Sequence, residues 1–262
     1  MTDKSNVPVV ILCGGKGTRL KEETEYRPKP MVHIGDRPIL WHIMKIYAHF
    51  GYDRFVLALG YKGEMVKEHF LLRKWLTSDF TMGIKSGEVT ATHENGSQDD
   101  FHVTFADTGE ETKTGERLKM VERYILGERF MVTYGDGVAD INVDDLVAFH
   151  ERQGTVGTIA GVHPTSKYGL VGVDERSRVT SFEQKPVLSD FVNGGFMVFT
   201  RRIFQYLKPN QMIEEALADL IRDRELSLYQ HNGFWHSMDT HKDFEDLNRM
   251  WANEPRWRIW KN

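Results

Sequence analysis

The sequence predicts a single α/β domain: a mostly parallel central sheet flanked by helices, with short antiparallel strands added in the second half. Three observations predict it. Strand-like apolar runs alternate with helical ones to about residue 152, and such alternation implies right-handed crossovers between parallel strands. Several of those runs stop abruptly at glycines, as buried strands do where the chain turns at the edge of a sheet. No internal repeat or low-complexity linker divides the 262 residues, a length one domain can hold.

Taken in order, residues 9–12 (Val-Val-Ile-Leu) are apolar and β-branched and read as a buried strand, stopped by Gly14-Gly15-Lys16-Gly17. Pro38 opens a run over 39–47 with apolar residues at helical spacing, and Gly51 sits where a helix C-cap glycine belongs. A strand at 55–59 and a helix at 64–75 follow, after which 81–98 is polar and glycine-bearing and reads as hairpins or loops. Next come a strand at 101–106, a helix at 115–125 and a strand at 130–134 that ends on Gly135-Asp136-Gly137. From residue 156 the texture shifts to short strands at 156–162, 170–173, 179–182 and 192–199, which read as more antiparallel. Helices at 213–223 and 243–251 flank a last strand at 226–231.

Composition narrows the function. Thirty-four Lys+Arg against thirty-eight Asp+Glu give a net charge of −4, which argues against a binder of polymeric nucleic acid. Cys13 is the only cysteine, so no internal disulfide or Cys-rich zinc site forms, and a reducing, cytoplasmic setting is expected. The apolar run at residues 7–13 is far shorter than the ~20 residues of a spanning helix, so no membrane segment is expected.

The first chemical constellation runs from Leu12 through Gly14, Gly15, Gly17, Thr18 and Arg19, with Pro28-Lys29-Pro30 beyond. Glycines let backbone N–H groups approach phosphate oxygens, and Arg19 and Lys29 add the charge that such a nest lacks. A Walker A loop requires Gly-x4-Gly-Lys-Ser/Thr, and a dinucleotide fingerprint requires a glycine where Leu20 stands, so neither fits. The pattern reads as a triphosphate cradle. Asp136 forms a second constellation, a carboxylate at a strand end with glycines on both sides that leave room for a hydrated cation. Asp140, Asp144 and Asp145 read as a solvated helix start, and Cys13 as a packing residue. None of the eleven histidines falls in a zinc pattern. Trp251, Trp257 and Trp260 read as packing within the chain, with a second subunit as the alternative.

These pieces resemble the sugar-1-phosphate nucleotidyltransferases, and among them the glucose-1-phosphate cytidylyltransferases. The resemblance rests on the Gly-Gly-x-Gly-Thr-Arg-Leu loop, Pro28-Lys29-Pro30-Met31-Val32, Gly60-Tyr61-Lys62-Gly63, Asp107-Thr108-Gly109, Thr114-Gly115 with Arg117, Tyr134-Gly135-Asp136-Gly137, Asn193-Gly194-Gly195-Phe196, and Trp235 with Met238-Asp239-Thr240. These occur in order over nearly the whole chain. It implies one nucleotidyltransferase domain over residues 1–262 with a Rossmann-like sheet, a nucleotide half at about 7–152 and a sugar half at about 153–262. It further implies attack by a sugar-1-phosphate oxygen on the α-phosphorus of CTP, with pyrophosphate leaving. That chemistry asks for alignment and charge neutralisation more than for a protein nucleophile.

By the same resemblance Arg19 and Lys29 act in catalysis, Asp136 and Asp239 hold Mg2+, and Thr114, Gly115 and Arg117 meet the base. Tyr168, Gly169, Gln184, Lys185 and Asn193 form the sugar-phosphate side, and a homo-oligomer is implied. One departure stands out: where relatives carry Glu-Lys-Pro, this chain has Gln184-Lys185-Pro186. An amide donates as well as accepts, whereas a carboxylate only accepts, so the pattern offered to the sugar changes. Rival expectations are the same reaction with another sugar or polyol phosphate or another nucleotide, and a non-catalytic sensor on the same fold. A DxD glycosyltransferase ranks lower, because Asp136 is followed by Gly-Val.

Overall fold

The computed structural model describes residues 4–93 and 99–260. In chain order the elements are β1 (Val9–Cys13), α1 (Lys21–Thr24), β2 (His33–Ile34), β3 (Arg37–Pro38), α2 (Ile39–His49), β4 (Arg54–Leu59), α3 (Gly63–Leu76), β5 (Asp79–Met82), β6 (Val89–His93) and β7 (His102–Asp107). They continue with α4 (Thr114–Met120), β8 (Arg129–Tyr134), β9 (Gly137–Ala139), α5 (Val143–Gln153), β10 (Gly157–Val162), β11 (Leu170–Val173), β12 (Val179–Glu183), β13 (Val192–Thr200), α6 (Ile213–Arg222), β14 (Leu226–His231), β15 (Trp235–Ser237) and α7 (His241–Asn253).

Seven strands form the central sheet in the order β14-β10-β13-β8-β1-β4-β7. β1 lies in its middle, parallel to β8 on one side and β4 on the other. It is buried along its whole length, which is why its sequence is a continuous apolar run with no polar alternation. Its side chains still alternate between faces. Val9, Ile11 and Cys13 enter one core with α2 residues such as Leu40 and Ile43. Val10 and Leu12 enter the other with Leu118 of α4 and Leu217 and Leu220 of α6. The sheet is thus the middle of three layers.

The second half is less antiparallel than the sequence predicts. β10 and β14 run parallel to each other, and within the central sheet only β13 is reversed against its neighbours β10 and β8. Among the described residues the remaining antiparallel pairing lies in four two-stranded ribbons, β2/β3, β5/β6, β9/β15 and β11/β12, and in one isolated bridge between Thr165 and Val187. The polar stretch predicted as hairpin or loop holds β5/β6, and residues 94–98 lie outside the described residues. The predicted helix at 115–125 breaks after Met120 and ends in a 3-10 turn at Glu122–Tyr124. Trp251, Trp257 and Trp260 pack inside the chain around His42 of α2, with ring centroids of Trp251 and His42 4.5 Å apart.

Candidate active site

The site forms where β1, β4, β7 and β8 end. Four parallel strands release their chains at one edge, and that edge is where open α/β sheets take ligands. The glycine loop follows β1, Gly60 follows β4, Thr108-Gly109 follows β7, and Gly135-Asp136 follows β8. β13 runs the other way, so its start brings Asn193, Gly194 and Gly195 to the same edge.

Arg117 of α4 laces these ends together. Its Nη1 donates to the carbonyls of Leu59 (3.2 Å) and Gly109 (2.6 Å) and to Thr108 Oγ1 (2.7 Å), and its Nη2 donates to the carbonyls of Gly14 (3.1 Å) and Glu110 (2.9 Å). The residue is 3% exposed. Burial pulls its pKa below the ordinary arginine value, opposed by acids that include Asp107 and Glu111. Space for the guanidinium comes from missing side chains, since a Cβ on Gly14 or Gly60 would stand 2.1 or 2.5 Å from it.

The hydrogen bonds of Thr114, Gly115 and Arg117 also tie together the segments around this end of the sheet. Arg117 gives its donors to the chain's own carbonyls, Thr114 Oγ1 accepts from Ile213 N (3.0 Å), and Gly115 N donates to the Gln211 carbonyl (3.0 Å). Thr114 and Gly115 join α4 to the chain at the start of α6, and Thr114 and Arg117 lie in the wall of a cavity there.

Two cavities adjoin at the strand ends. One, of about 370 Å³, is walled by Leu12, Gly14, Glu110, Glu111, Thr114 and Arg117. The other, of about 700 Å³, is walled by Thr18, Arg19, Asn193, Trp235, Ser237 and Asp239. They share Gly15, Gly17, Lys29, Tyr134, Asp136 and Met212 as a common seam. A Cβ on Gly15 would meet nothing within 4 Å, so the backbone of the loop faces open space there. Gly17, at φ +62°, adopts the left-handed conformation that favours glycine.

Lys29 stands at the seam, its Nζ 2.7 Å from Asp136 Oδ2 and 2.9 Å from Asp239 Oδ1. The two acids are far apart in sequence, and the β9/β15 ribbon joins them. Ser237 pairs with Gly137, and Met238 N donates to the Asp136 carbonyl at 2.8 Å. Burial pulls the Lys29 ammonium down, but Asp136 and Asp239 together outweigh it and hold the pKa above the ordinary lysine value. Burial likewise pushes the Asp239 carboxyl up, and Lys29, the Ser237 hydroxyl and Arg19 outweigh it, leaving it below the ordinary value. Burial, then the charge of Asp136, pushes the Cys13 thiol well above its usual range, as suits a packing residue rather than a nucleophile.

The model of the nucleotidyl transferase family matches residues 8–254. The chain belongs to the nucleotidyl transferase family. It is similar to a probable glucose-1-phosphate cytidylyltransferase of Bacillus subtilis, 42% identical over 96% of this chain and 99% of that one. It is also similar to the glucose-1-phosphate cytidylyltransferase of Salmonella typhi, 37% identical over 96% and 99%. Among solved structures HddC from Yersinia pseudotuberculosis shares the fold, with a TM-score of 0.68 and 23% identity over 94% of this chain and 99% of that one.

This nucleotidyl transferase gathers Leu12, Gly14, Gly15, Gly17, Thr18, Arg19, Lys29, Thr114, Arg117, Asp136, Asn193 and Asp239 around the two cavities. Tyr168, Gly169, Gln184 and Lys185 wall neither. They belong to β11/β12 and its flanks, a ribbon whose ladder is internal to itself, and Tyr168 is 78% exposed. Gln184 and Lys185 lie beyond the end of β12, and Lys185 takes a left-handed conformation (φ 51°). A lysine neighbour, Lys242 of α7, pulls the Lys185 pKa down.

Sequence reasoning missed the wall residues Lys16, Glu110, Glu111, Met212, Trp235 and Ser237. Lys16 ion-pairs with Glu111 and stands 3.6 Å from Glu110 across the rim of the smaller cavity. Trp235 Nε1 donates to the Gly194 carbonyl at 2.8 Å, fixing its ring in the larger one. Alternating charges at residues 16 and 110–111 were the only available signal, and no sequence rule pairs loops that far apart.

Proposed function

We propose that this nucleotidyl transferase moves the cytidylyl group of CTP onto a sugar 1-phosphate, glucose 1-phosphate first, releasing pyrophosphate and a CDP-sugar. The observation that supports it most is the seam at which two cavities meet Lys29 and Asp136. The smaller cavity suits the nucleoside, the larger the sugar phosphate, and the α-phosphorus would lie between them. The names of the relatives point to CTP and glucose 1-phosphate.

A phosphate oxygen of the sugar 1-phosphate attacks the α-phosphorus, the bond to the β-phosphate breaks, and pyrophosphate leaves with its electrons. The attacking phosphate is already ionised at neutral pH, so the protein's task is orientation and neutralisation. The backbone of Gly14, Gly15 and Gly17 would line the triphosphate, with Arg19 and Lys29 opposing its charge. Asp136 and Asp239 fit a magnesium ion: both are hard oxygen donors, and both already converge on a single cation, the Lys29 ammonium. When bound, Mg2+ would neutralise charge on the phosphate oxygens.

The test is pyrophosphate release over a matrix of four nucleoside triphosphates and several sugar phosphates with Mg2+. The expected result is the highest kcat/KM for CTP with glucose 1-phosphate; no release with any pair would defeat the reading. A second reading, the same reaction on another sugar or polyol phosphate, draws support from Gln184 and from the position of its ribbon outside the cavity wall. The same matrix separates the two.

A further inference from the structure

We propose that Ser237 is a positioning residue that sets the Asp239 carboxylate for a divalent cation, an inference that rests on the reading above. The two oxygens of Asp239 have different partners. Ser237 Oγ donates to Oδ2 at 2.8 Å, while Oδ1 accepts from Lys29 Nζ at 2.9 Å. The backbone on either side is already fixed: Met238 N donates to the Asp136 carbonyl at 2.8 Å, and Asp239 N donates to Asp243 Oδ2 at 3.1 Å. Asp243 in turn caps α7 through Thr240.

What remains free is rotation of the carboxylate about its own side-chain bonds. Lys29 pulls on one oxygen from the seam, and Arg19 lies close enough to act on the same group. Without a second anchor the carboxylate would be free to rotate about its contact with Lys29, and neither oxygen would hold a set direction toward a cation shared with Asp136. The Ser237 hydroxyl supplies that anchor, because a hydroxyl can donate to an ionised carboxylate without adding charge. Its place is set by the ribbon register, Ser237 opposite Gly137 and so one residue from Asp136. One short ribbon therefore delivers both acids and orients the second. Hydrogen-bond partners of metal-binding carboxylates typically change metal affinity by roughly 10–100-fold when removed.

The experiment compares wild type, Ser237→Ala and Ser237→Thr, using Mn2+ as the probe. Mn2+ binding is read by electron paramagnetic resonance on the nucleotide-free protein, alongside thermal unfolding and steady-state rates. Ser237→Ala should weaken Mn2+ binding by roughly 10-fold, raise the Mn2+ concentration needed for half-maximal rate in parallel, and leave Tm near wild type. Ser237→Thr should restore Mn2+ binding. If wild type binds Mn2+ and turns over but Ser237→Ala binds it equally well, the positioning role is wrong and the nucleotidyl transfer stands. Loss of Mn2+ binding that tracks a fall in Tm and is not rescued by threonine would reduce Ser237 to a structural residue and overturn the proposal. A wild type that neither binds Mn2+ nor turns over would overturn both.

Discussion

Arg117 fills the space that a side chain at Gly14 would need: a Cβ there would lie 2.1 Å from the guanidinium carbon. The glycine that reads as a phosphate-nest residue thus also makes room for an arginine over a hundred positions away. Both requirements act on one position. The loop after β1 and the loop after β7 are consequently built as one unit, tied at the Gly14 and Glu110 carbonyls.

Arg117→Ala should therefore destabilise the fold and not only the site. It strips donors from carbonyls at three strand ends, and losing buried charged hydrogen bonds costs about 3 kcal/mol, with roughly 2–4 °C of Tm per kcal/mol at this chain size. Arg117→Lys should fall between wild type and alanine, because an ammonium cannot reproduce the fork. Gly14→Ala should resemble Arg117→Ala in thermal unfolding. A Gly14→Ala protein with wild-type Tm would show that the arginine can move aside.

The reach of the sequence follows the same physics. β1, α2, β4 and β8 were legible because burial writes itself into local patterns, a continuous apolar strand or a 3.6-residue stripe. Arg19, Lys29 and Asp136 were legible because glycines and prolines mark the turns that hold them. The direction of β10 and β14 was not, since a short apolar strand has the same composition whether its neighbour runs with it or against it. Nor was the place of Gln184 and Lys185, because a ribbon that pairs only with itself leaves no mark of where it points. Ser237 and Lys16 depend on partners brought close only by the finished topology.

Lys29→Met should separate chemistry from binding. Its ammonium balances two acids at the seam, and a cation acting chiefly where charge develops affects kcat more than KM. Turnover is expected to fall on the order of 100–1000-fold, as for loss of a preorganised donor, with KM for CTP rising by less. Arg19→Ala should follow the same pattern with a smaller loss, since its exposed charge is better screened. Steady-state kinetics check both, and unchanged turnover in both variants would remove them from the mechanism.

Lys16→Met tests the rim of the smaller cavity. Lys16 is the cation facing Glu110 and Glu111 there, and without it two carboxylates meet an incoming triphosphate. KM for CTP should rise several-fold at low salt and less at high salt, with Tm unchanged, because exposed pairs add little to stability. Adding Glu111→Gln to Lys16→Met should recover part of the loss. Equal KM values at both salt concentrations would mean that the triphosphate does not sense this rim.

Acid should loosen the packing around two buried histidines, His42 and His150. His42 is fully buried; the Trp257 indole N–H donates to its Nδ1 at 3.3 Å, so its Nε2 carries the proton and donates to the Ile34 carbonyl at 3.0 Å. The neutral ring is satisfied on both sides, and a second proton would have to face an indole N–H. Burial pushes its pKa down to about 4, a fall that the Ile34 carbonyl opposes only in part. Burial, with Arg129 nearby, brings His150 to about 4 as well. Since the folded values lie below the ordinary 6.5, protons favour the unfolded chain. The stability these two rings contribute is complete above about pH 6.5, declines as pH falls toward 4, and changes no further below that. At about 1.4 kcal/mol per unit the loss is on the order of 3 kcal/mol for each ring. Urea unfolding at pH 7.5, 6, 5 and 4.5 checks the curve. His42→Gln should be less stable at pH 7.5 and should flatten the slope between pH 6.5 and 4.5 by about half. An unaltered slope would mean that His42 does not titrate with folding.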